Sequence, residues 1–88
     1  MLNIIRTTTF KRDYKKSIKQ GKSRLRFEEV LYKIAHKIPL DPKLRDHKLG
    51  GNYVGKRECH IEPDWLLVYE INKSELILYR IGSHSELF

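Results

Sequence analysis

The chain of 88 residues has one cysteine, one methionine, one tryptophan and three prolines. A lone Cys59 excludes an intramolecular disulfide, and with it the stapled scaffolds that small secreted domains use; a cytoplasmic setting is expected. Long apolar runs are also missing. The longest, Trp65-Leu66-Leu67-Val68-Tyr69, is far below the roughly 20 residues of a membrane helix, so no membrane partner is expected. Met1-Leu2-Asn3-Ile4-Ile5-Arg6 lacks the charged leader, apolar core and cleavage site of a signal peptide. Gly50-Gly51 follows no strand and reads as a turn, so no phosphate-cradling glycine loop is present. There is no internal repeat and no low-complexity stretch.

Acidic side chains are scarce in one half only. Residues 1–38 hold 11 Lys and Arg against 3 Asp and Glu, whereas residues 39–88 hold 7 against 8, giving a net charge of +7. Such a basic region attracts nucleic acid, an anionic membrane or an acidic protein, although a solvated helix face would look the same. A composition of 40% hydrophobic and 33% charged residues is that of a globular chain, and the length fits one small domain over residues 1–88.

Leu2 to Arg6 is short and β-branched, and reads as a strand. Thr7, Thr8 and Thr9 offer capping hydroxyls to a helix in which Phe10, Tyr14 and Ile18 recur every four residues among Lys11, Arg12, Lys15, Lys16 and Lys19. Gly21 supplies its stop. Ser23 caps a second helix with Phe27, Val30, Leu31, Ile34 and Ile38 on one face, ended by Pro39. Pro39 to Asn52 has no apolar period and reads as a long connection containing His47. Tyr53 to Glu62 alternates, with Arg57, Cys59 and Ile61 on one face and Lys56, Glu58, His60 and Glu62 on the other. After a Pro63-Asp64 turn, Trp65 to Ile71 is apolar on both faces, as in a central strand. A turn at 72–74 precedes a last strand, Glu75 to Ile81. The order β-α-α-β-β-β predicts an α+β domain, a helical hairpin packed on a mostly antiparallel sheet. The second face of Trp65–Ile71 then needs cover from a ligand, a partner or the chain's own end.

Polar residues gather in the second half. Glu58 and His60 share a strand face, Asp64 follows in the turn, and an extended run from Arg80 to His84 would place both on one side. Antiparallel pairing brings His60, Asp64, Trp65 and Arg80 to one sheet edge. Histidines that titrate near neutrality, an arginine and a carboxylate form a kit for phosphodiester cleavage. Each residue also has a plain structural alternative. A Pro-Asp turn serves geometry, a tryptophan at a strand start serves the core, and a terminal Phe88 serves packing. Cys59 and His60 point to opposite faces and cannot share a metal; His47, His60 and His84 are the remaining combination.

Three segments add to this: Asp46-His47-Lys48-Leu49; Arg57 through Tyr69, with His60, Pro63, Asp64 and Trp65; and Arg80-Ile81-Gly82-Ser83-His84-Ser85-Glu86-Leu87-Phe88. They resemble the YafQ-like branch of the RelE/ParE toxin superfamily over most of the chain. The resemblance implies the toxin of a type II toxin–antitoxin pair, an endoribonuclease that cuts mRNA, typically on the ribosome, without a cofactor or metal. It implies a cognate antitoxin protein, mRNA and the ribosome as partners. It also implies that His47, His60, Asp64, Arg80 and His84 are catalytic. His60, oriented by Asp64, would take the proton of the ribose 2′-OH, and His84 or His47 would protonate the leaving oxygen. Arg80 would grip the phosphate. Trp65 and Phe88 would stack a base, Glu58 would stand where relatives often carry Asp, and Lys11 and Lys15 would hold the phosphate backbone. Two competing readings keep the basic surface and change the activity: a ParE-like gyrase poison, and an RNA-binding module without turnover.

Overall fold

A computed structural model describes residues 1–88. Strand β1 (Asn3–Arg6) is followed by helices α1 (Thr8–Lys19) and α2 (Arg24–Ala35), then by strands β2 (His47–Lys48), β3 (Arg57–Glu62), β4 (Trp65–Asn72) and β5 (Glu75–Gly82), and by a terminal helical turn α3 (His84–Leu87). The sheet order is β1-β5-β4-β3-β2. Only the β1–β5 pairing is parallel. The expected α+β class holds. No helix is long and apolar enough to cross a membrane.

Local chemistry explains the helix ends. The Thr7 hydroxyl accepts from the Phe10 N–H at 3.1 Å, and the Ser23 hydroxyl accepts from the Arg26 N–H at 3.2 Å, each satisfying an orphan donor of a first turn. After α1, Gly21 takes φ +88°, and the N–H groups of Gly21 and Lys22 close back on Ile18 and Ser17. Helix α2 does not reach Ile38 as expected. Lys37 adopts φ +58°, and Lys37 and Ile38 bond back to Ile34 and Lys33, the same termination without a glycine.

The expected strand from Tyr53 starts only at Arg57, because residues 51–53 form a 3-10 turn and Gly55 takes φ +87°. Conversely, the long connection contains a strand, the two-residue β2, paired antiparallel to β3.

The helical hairpin covers one sheet face. Phe10, Phe27, Val30, Leu31 and Ile34 pack there against Cys59, Trp65, Leu67, Tyr69, Leu76, Leu78 and Ile81. Trp65 is wholly buried, and its indole N–H donates to the Ser17 hydroxyl at 3.0 Å, which satisfies both groups inside the core. The other face has its own apolar cluster, in which Leu66 and Val68 are capped by Leu87 with Leu49, Tyr53 and Tyr79 alongside. The chain's own end therefore supplies the cover that β4 requires. Gly82 permits it: a Cβ there would stand 3.0 Å from the Glu86 Oε1 and 3.4 Å from Leu87.

Two bulges set which residues face outward. On β3 the register skips Ile61 between His60 and Glu62, and on β5 it skips Tyr79 between Leu78 and Arg80. An extra residue reverses the alternation beyond it. Arg80 would otherwise share the core face with Leu76 and Leu78; it pairs instead with Val68 and faces outward. Glu62 moves the opposite way. It pairs with Trp65 and meets Lys22 at 3.9 Å, so it does not share a face with Glu58 and His60.

Replacing Leu87 by Ala should destabilise the protein by about 2–3 kcal/mol, the cost of a cavity in a small cluster. Urea denaturation would measure it, and an unchanged midpoint would show that α3 is not held by this contact.

Candidate active site on the outer sheet face

Residues paired across a sheet share a face, so the register alone assembles the site. His47 is opposite Glu58, Glu58 opposite Val68, and Val68 opposite Arg80. These four form one transverse row across β2, β3, β4 and β5, spanning about 14 Å at the strand spacing. His60, Leu66 and Gly82 form the next row, and α3 rises from Gly82 with His84 as its first residue.

Glu58 is the hinge of the row. It is 5% exposed, with its Oε1 3.6 Å from His47 Nε2 and 3.4 Å from His60 Nε2. The opposite ring nitrogens are engaged by carbonyls: His47 Nδ1 lies 2.6 Å from the Arg45 oxygen and His60 Nδ1 3.2 Å from the Pro63 oxygen. A carbonyl only accepts, so both Nδ1 atoms carry hydrogen, and in the neutral rings the lone pair sits on Nε2. The separations to Glu58 exceed those of a made hydrogen bond, which leaves both lone pairs uncommitted beside a buried carboxylate.

Arg80 is held from the side. Its Nε and Nη2 donate to the two Asp13 carboxylate oxygens at 2.6 and 3.3 Å, and Asp13 also accepts from the Ile81 N–H at 3.2 Å. Asp13 thereby closes the edge of β5 that β1 leaves unpaired, and its hydrogen bonds raise the Arg80 pKa further above the ordinary guanidinium value against a smaller opposing effect of burial.

The terminal turn brings the remaining groups. Ser83 and Glu86 form a reciprocal cap, each side chain accepting from the other's N–H. Glu86 also pairs with Lys16 of α1 at 2.8 Å. Phe88 is 51% exposed, 5.2 Å from the His84 ring and 5.3 Å from the Tyr53 ring. The His84 ring has no hydrogen-bond partner.

Several expected placements change. Asp64 does not orient His60; it accepts from the His84 backbone N–H at 2.9 Å and so fixes the start of α3. Trp65 cannot stack a base, since both ring faces are inside the helix-side core. The chain is not extended from Arg80 to His84, because a helical turn starts after Ser83. Lys11 and Lys15 are not among these changes; they are exposed on α1, apart from the row: at about 100° per residue, Asp13, Lys16 and Ser17 occupy the side facing β5 and α3, and Lys11 lines the cleft toward α2.

Asp13, Lys16, Tyr53 and Asp46 take supporting roles that the sequence reading did not give them, although Asp46 opens the motif that carries His47. Asp46 accepts from Arg57 at 3.2 Å and from the Tyr69 hydroxyl, anchoring the segment that carries His47. One signal was present for Asp13, the lone acidic residue among the first 27. No three His, Cys, Asp and Glu side chains are arranged to hold a metal ion.

Residues 2–88 match the family model described as a bacterial toxin of type II toxin-antitoxin system, YafQ. The mRNA interferase toxin YafQ of Escherichia coli strain K12 is 40% identical over 55 residues, 62% of this chain and 60% of that toxin. The toxin of the same name in strain B / BL21-DE3 is 35% identical over 81 residues, 90% of this chain and 87% of its own. Among solved structures, a copper-bound mutant toxin from Helicobacter pylori superposes with a TM-score of 0.95 at 44% identity, covering 100% of both chains. The E. coli DinJ-YafQ complex gives 0.90 at 30% identity, covering 100% of this chain and 99% of that one.

The Glu86 carboxyl is lowered from 4.5 to about 2, first by the Lys16 ammonium and then by the Ser83 cap. A carboxyl with a depressed folded pKa stabilises fully above its unfolded value and loses that contribution as pH falls through the folded one. Docking of α3 should therefore weaken between pH 4.5 and about 2. A carbon-13 titration of Glu86 should give the low midpoint in the parent. Lys16→Gln should bring it part of the way back, since the Ser83 bonds remain; an unmoved midpoint would remove Lys16 as the main cause.

Proposed function

Because the chain belongs to the YafQ family of bacterial type II toxin–antitoxin toxins, we infer that it is an mRNA interferase that cuts at the outer face of its sheet. Residues 1–88 act as one toxin domain, in the cytoplasm, on mRNA held by the ribosome, and a cognate antitoxin neutralises it. The relative in the DinJ-YafQ complex supports the protein partner. One observation carries the assignment of the site. The register sets two histidines around a buried carboxylate in line with an arginine, and α3 adds a third, unbonded histidine and an exposed phenylalanine.

The chemistry follows from those groups. His60 Nε2 takes the proton of a ribose 2′-OH, and the oxygen attacks the adjacent phosphorus. The imidazolium so formed lies beside Glu58, whose charge offsets it at the moment of need. Arg80 presents the guanidinium edge that Asp13 leaves free and stabilises charge on the pentacoordinate phosphorus. His84, protonated, gives its proton to the departing 5′ oxygen. The products are a 2′,3′-cyclic phosphate, opening to a 3′-phosphate, and a 5′-OH end. His47 stands on the far side of Glu58 and is a second proton carrier. Phe88, backed by Tyr53 and His84, offers a face for a base. Asp64 contributes through the peptide it holds.

Message from cells expressing the protein should gain cuts bearing 5′-OH ends, and 5′-phosphate ends would overturn the mechanism. His84→Ala should lower cleavage by about 10²–10⁴-fold, the usual contribution of a positioned acid. Arg80→Ala should lower it by about 10²–10³-fold. Both should arrest growth no longer while keeping a parental circular dichroism spectrum; full toxicity in both would remove the site. Asp13→Asn should lower kcat more than it raises KM, since it loosens Arg80 without removing it.

A further inference from the structure

Beside the outer-face site lies a groove of about 440 Å³ that shares only His60 with it. Its walls are Arg26 from the first turn of α2, Lys43 and Arg45 from the 42–45 segment, and Glu62 from β3. Leu44, Ile61 and Pro63 make its apolar part. The volume is that of an ordinary ligand site.

The groove wall carries three cations against one carboxylate, Glu62. Arg26, Lys43 and Arg45 are exposed, and none is within ion-pair distance of a carboxylate. The acidic groups nearby have partners other than these three side chains. Glu62 meets Lys22 at 3.9 Å, Asp41 accepts from the Lys43 N–H at 3.0 Å, and Asp46 is bonded to Arg57 and Tyr69. The three cations also sit on a fixed frame. Leu44 packs against the main core, and Arg45 adopts φ +52°, ψ +44° while its carbonyl holds the His47 ring. One residue thus orients a site histidine through its backbone and lines the groove with its side chain.

We propose that this groove binds the sugar–phosphate backbone of the RNA segment flanking the scissile phosphate, through Arg26, Lys43 and Arg45. The proposal rests on His60 belonging to an RNA-cutting site. Guanidinium groups suit phosphate oxygens through paired donors, and the apolar floor suits a ribose. Contacts of this kind fix register and supply salt-dependent affinity while the neighbouring residues do the chemistry. Affinity gathered there would be used to seat the strand, and a substrate too short to enter it would react without that help.

The test uses the full chain with a 2′-O-methyl RNA oligonucleotide, which cannot be cut, and anisotropy across a salt series. The groove variant is Arg26→Gln/Lys43→Gln/Arg45→Asn, with Asn where the backbone is left-handed. The control, Lys33→Gln/Lys37→Asn/Lys73→Asn, removes equal charge, with Lys37 and Lys73 by the β4–β5 turn. Each single-strand phosphate contact contributes about 0.7 to the slope of log affinity on log salt, so the groove variant should lose about 2. The control should keep the parental slope. The double variant Arg26→Gln/Lys43→Gln, which spares the Arg45 backbone that holds His47, should also raise KM for long RNA and leave turnover of a dinucleoside phosphate unchanged. Equal loss in both variants, no loss in the groove variant, or a parent that does not bind would each overturn the proposal. A parent that binds through the groove but never cuts would refute the nuclease reading and keep the subsite.

Discussion

Strand β4 is buried on both faces from Trp65 to Tyr69, and most of the molecule follows from that. A two-layer fold covers only one face of its sheet with helices. Exposing Leu66 and Val68 would cost about 1.5–3 kcal/mol each, a large share of the stability of a small domain. The chain answers by folding its end and its 47–53 segment back over the outer face, where Leu87, Leu49 and Tyr53 close on Leu66 and Val68. Those same segments carry His84, Phe88 and His47. The packing requirement and the assembly of the site are one event: whatever seats Leu87 also places His84 at the start of α3, beside the end of β5.

Fine placement depends on departures from regularity. The Tyr79 bulge turns Arg80 out of the core, and Gly82 lets α3 lie close to the sheet. The Ile61 bulge leaves His60 outward and sends Glu62 toward the helical layer. Regular strands would have turned Arg80 to the core face and Glu62 to the site face, next to His60 and two residues along the strand from it. A further carboxylate on that face would repel a phosphate. The bulges thus help to keep the site cationic.

Much of this was legible in the sequence, for identifiable reasons. Thr7, Ser23 and Gly21 act locally, and a cap or stop needs only its own few residues. The run Trp65–Tyr69 marks a central strand because no polar residue interrupts it. The facing of Glu58 and His60 follows from a period of two. What could not be read depends on contacts distant in sequence. A two-residue strand such as β2 has no period to detect. A bulge shifts the alternation by one without changing composition. Trp65 and Phe88 are both aromatic, and only tertiary packing separates the buried ring from the exposed one. Asp64 was placed beside the right motif but on the wrong partner, because its neighbour in space is the backbone of His84, 20 residues on.

The basic first helix acquires a different meaning from these contacts. Charge alone suggests a surface for polyanions, yet the part of α1 that meets the site holds an aspartate, and its lysine there is already paired. Asp13 binds Arg80 and the β5 edge, and Lys16 binds the Glu86 cap of α3. Through these two residues α1 acts as a brace between the arginine of β5 and the histidine of α3. A rigid helix suits that task, since it fixes both contacts one turn apart. In the proposed function the remaining lysines attract RNA at a distance, where long-range attraction needs sign and not geometry. Stereospecific gripping needs cations on a fixed frame beside the reacting phosphate. The groove proposed for the RNA backbone would meet that condition, because the 42–45 segment that presents Lys43 and Arg45 also positions His47.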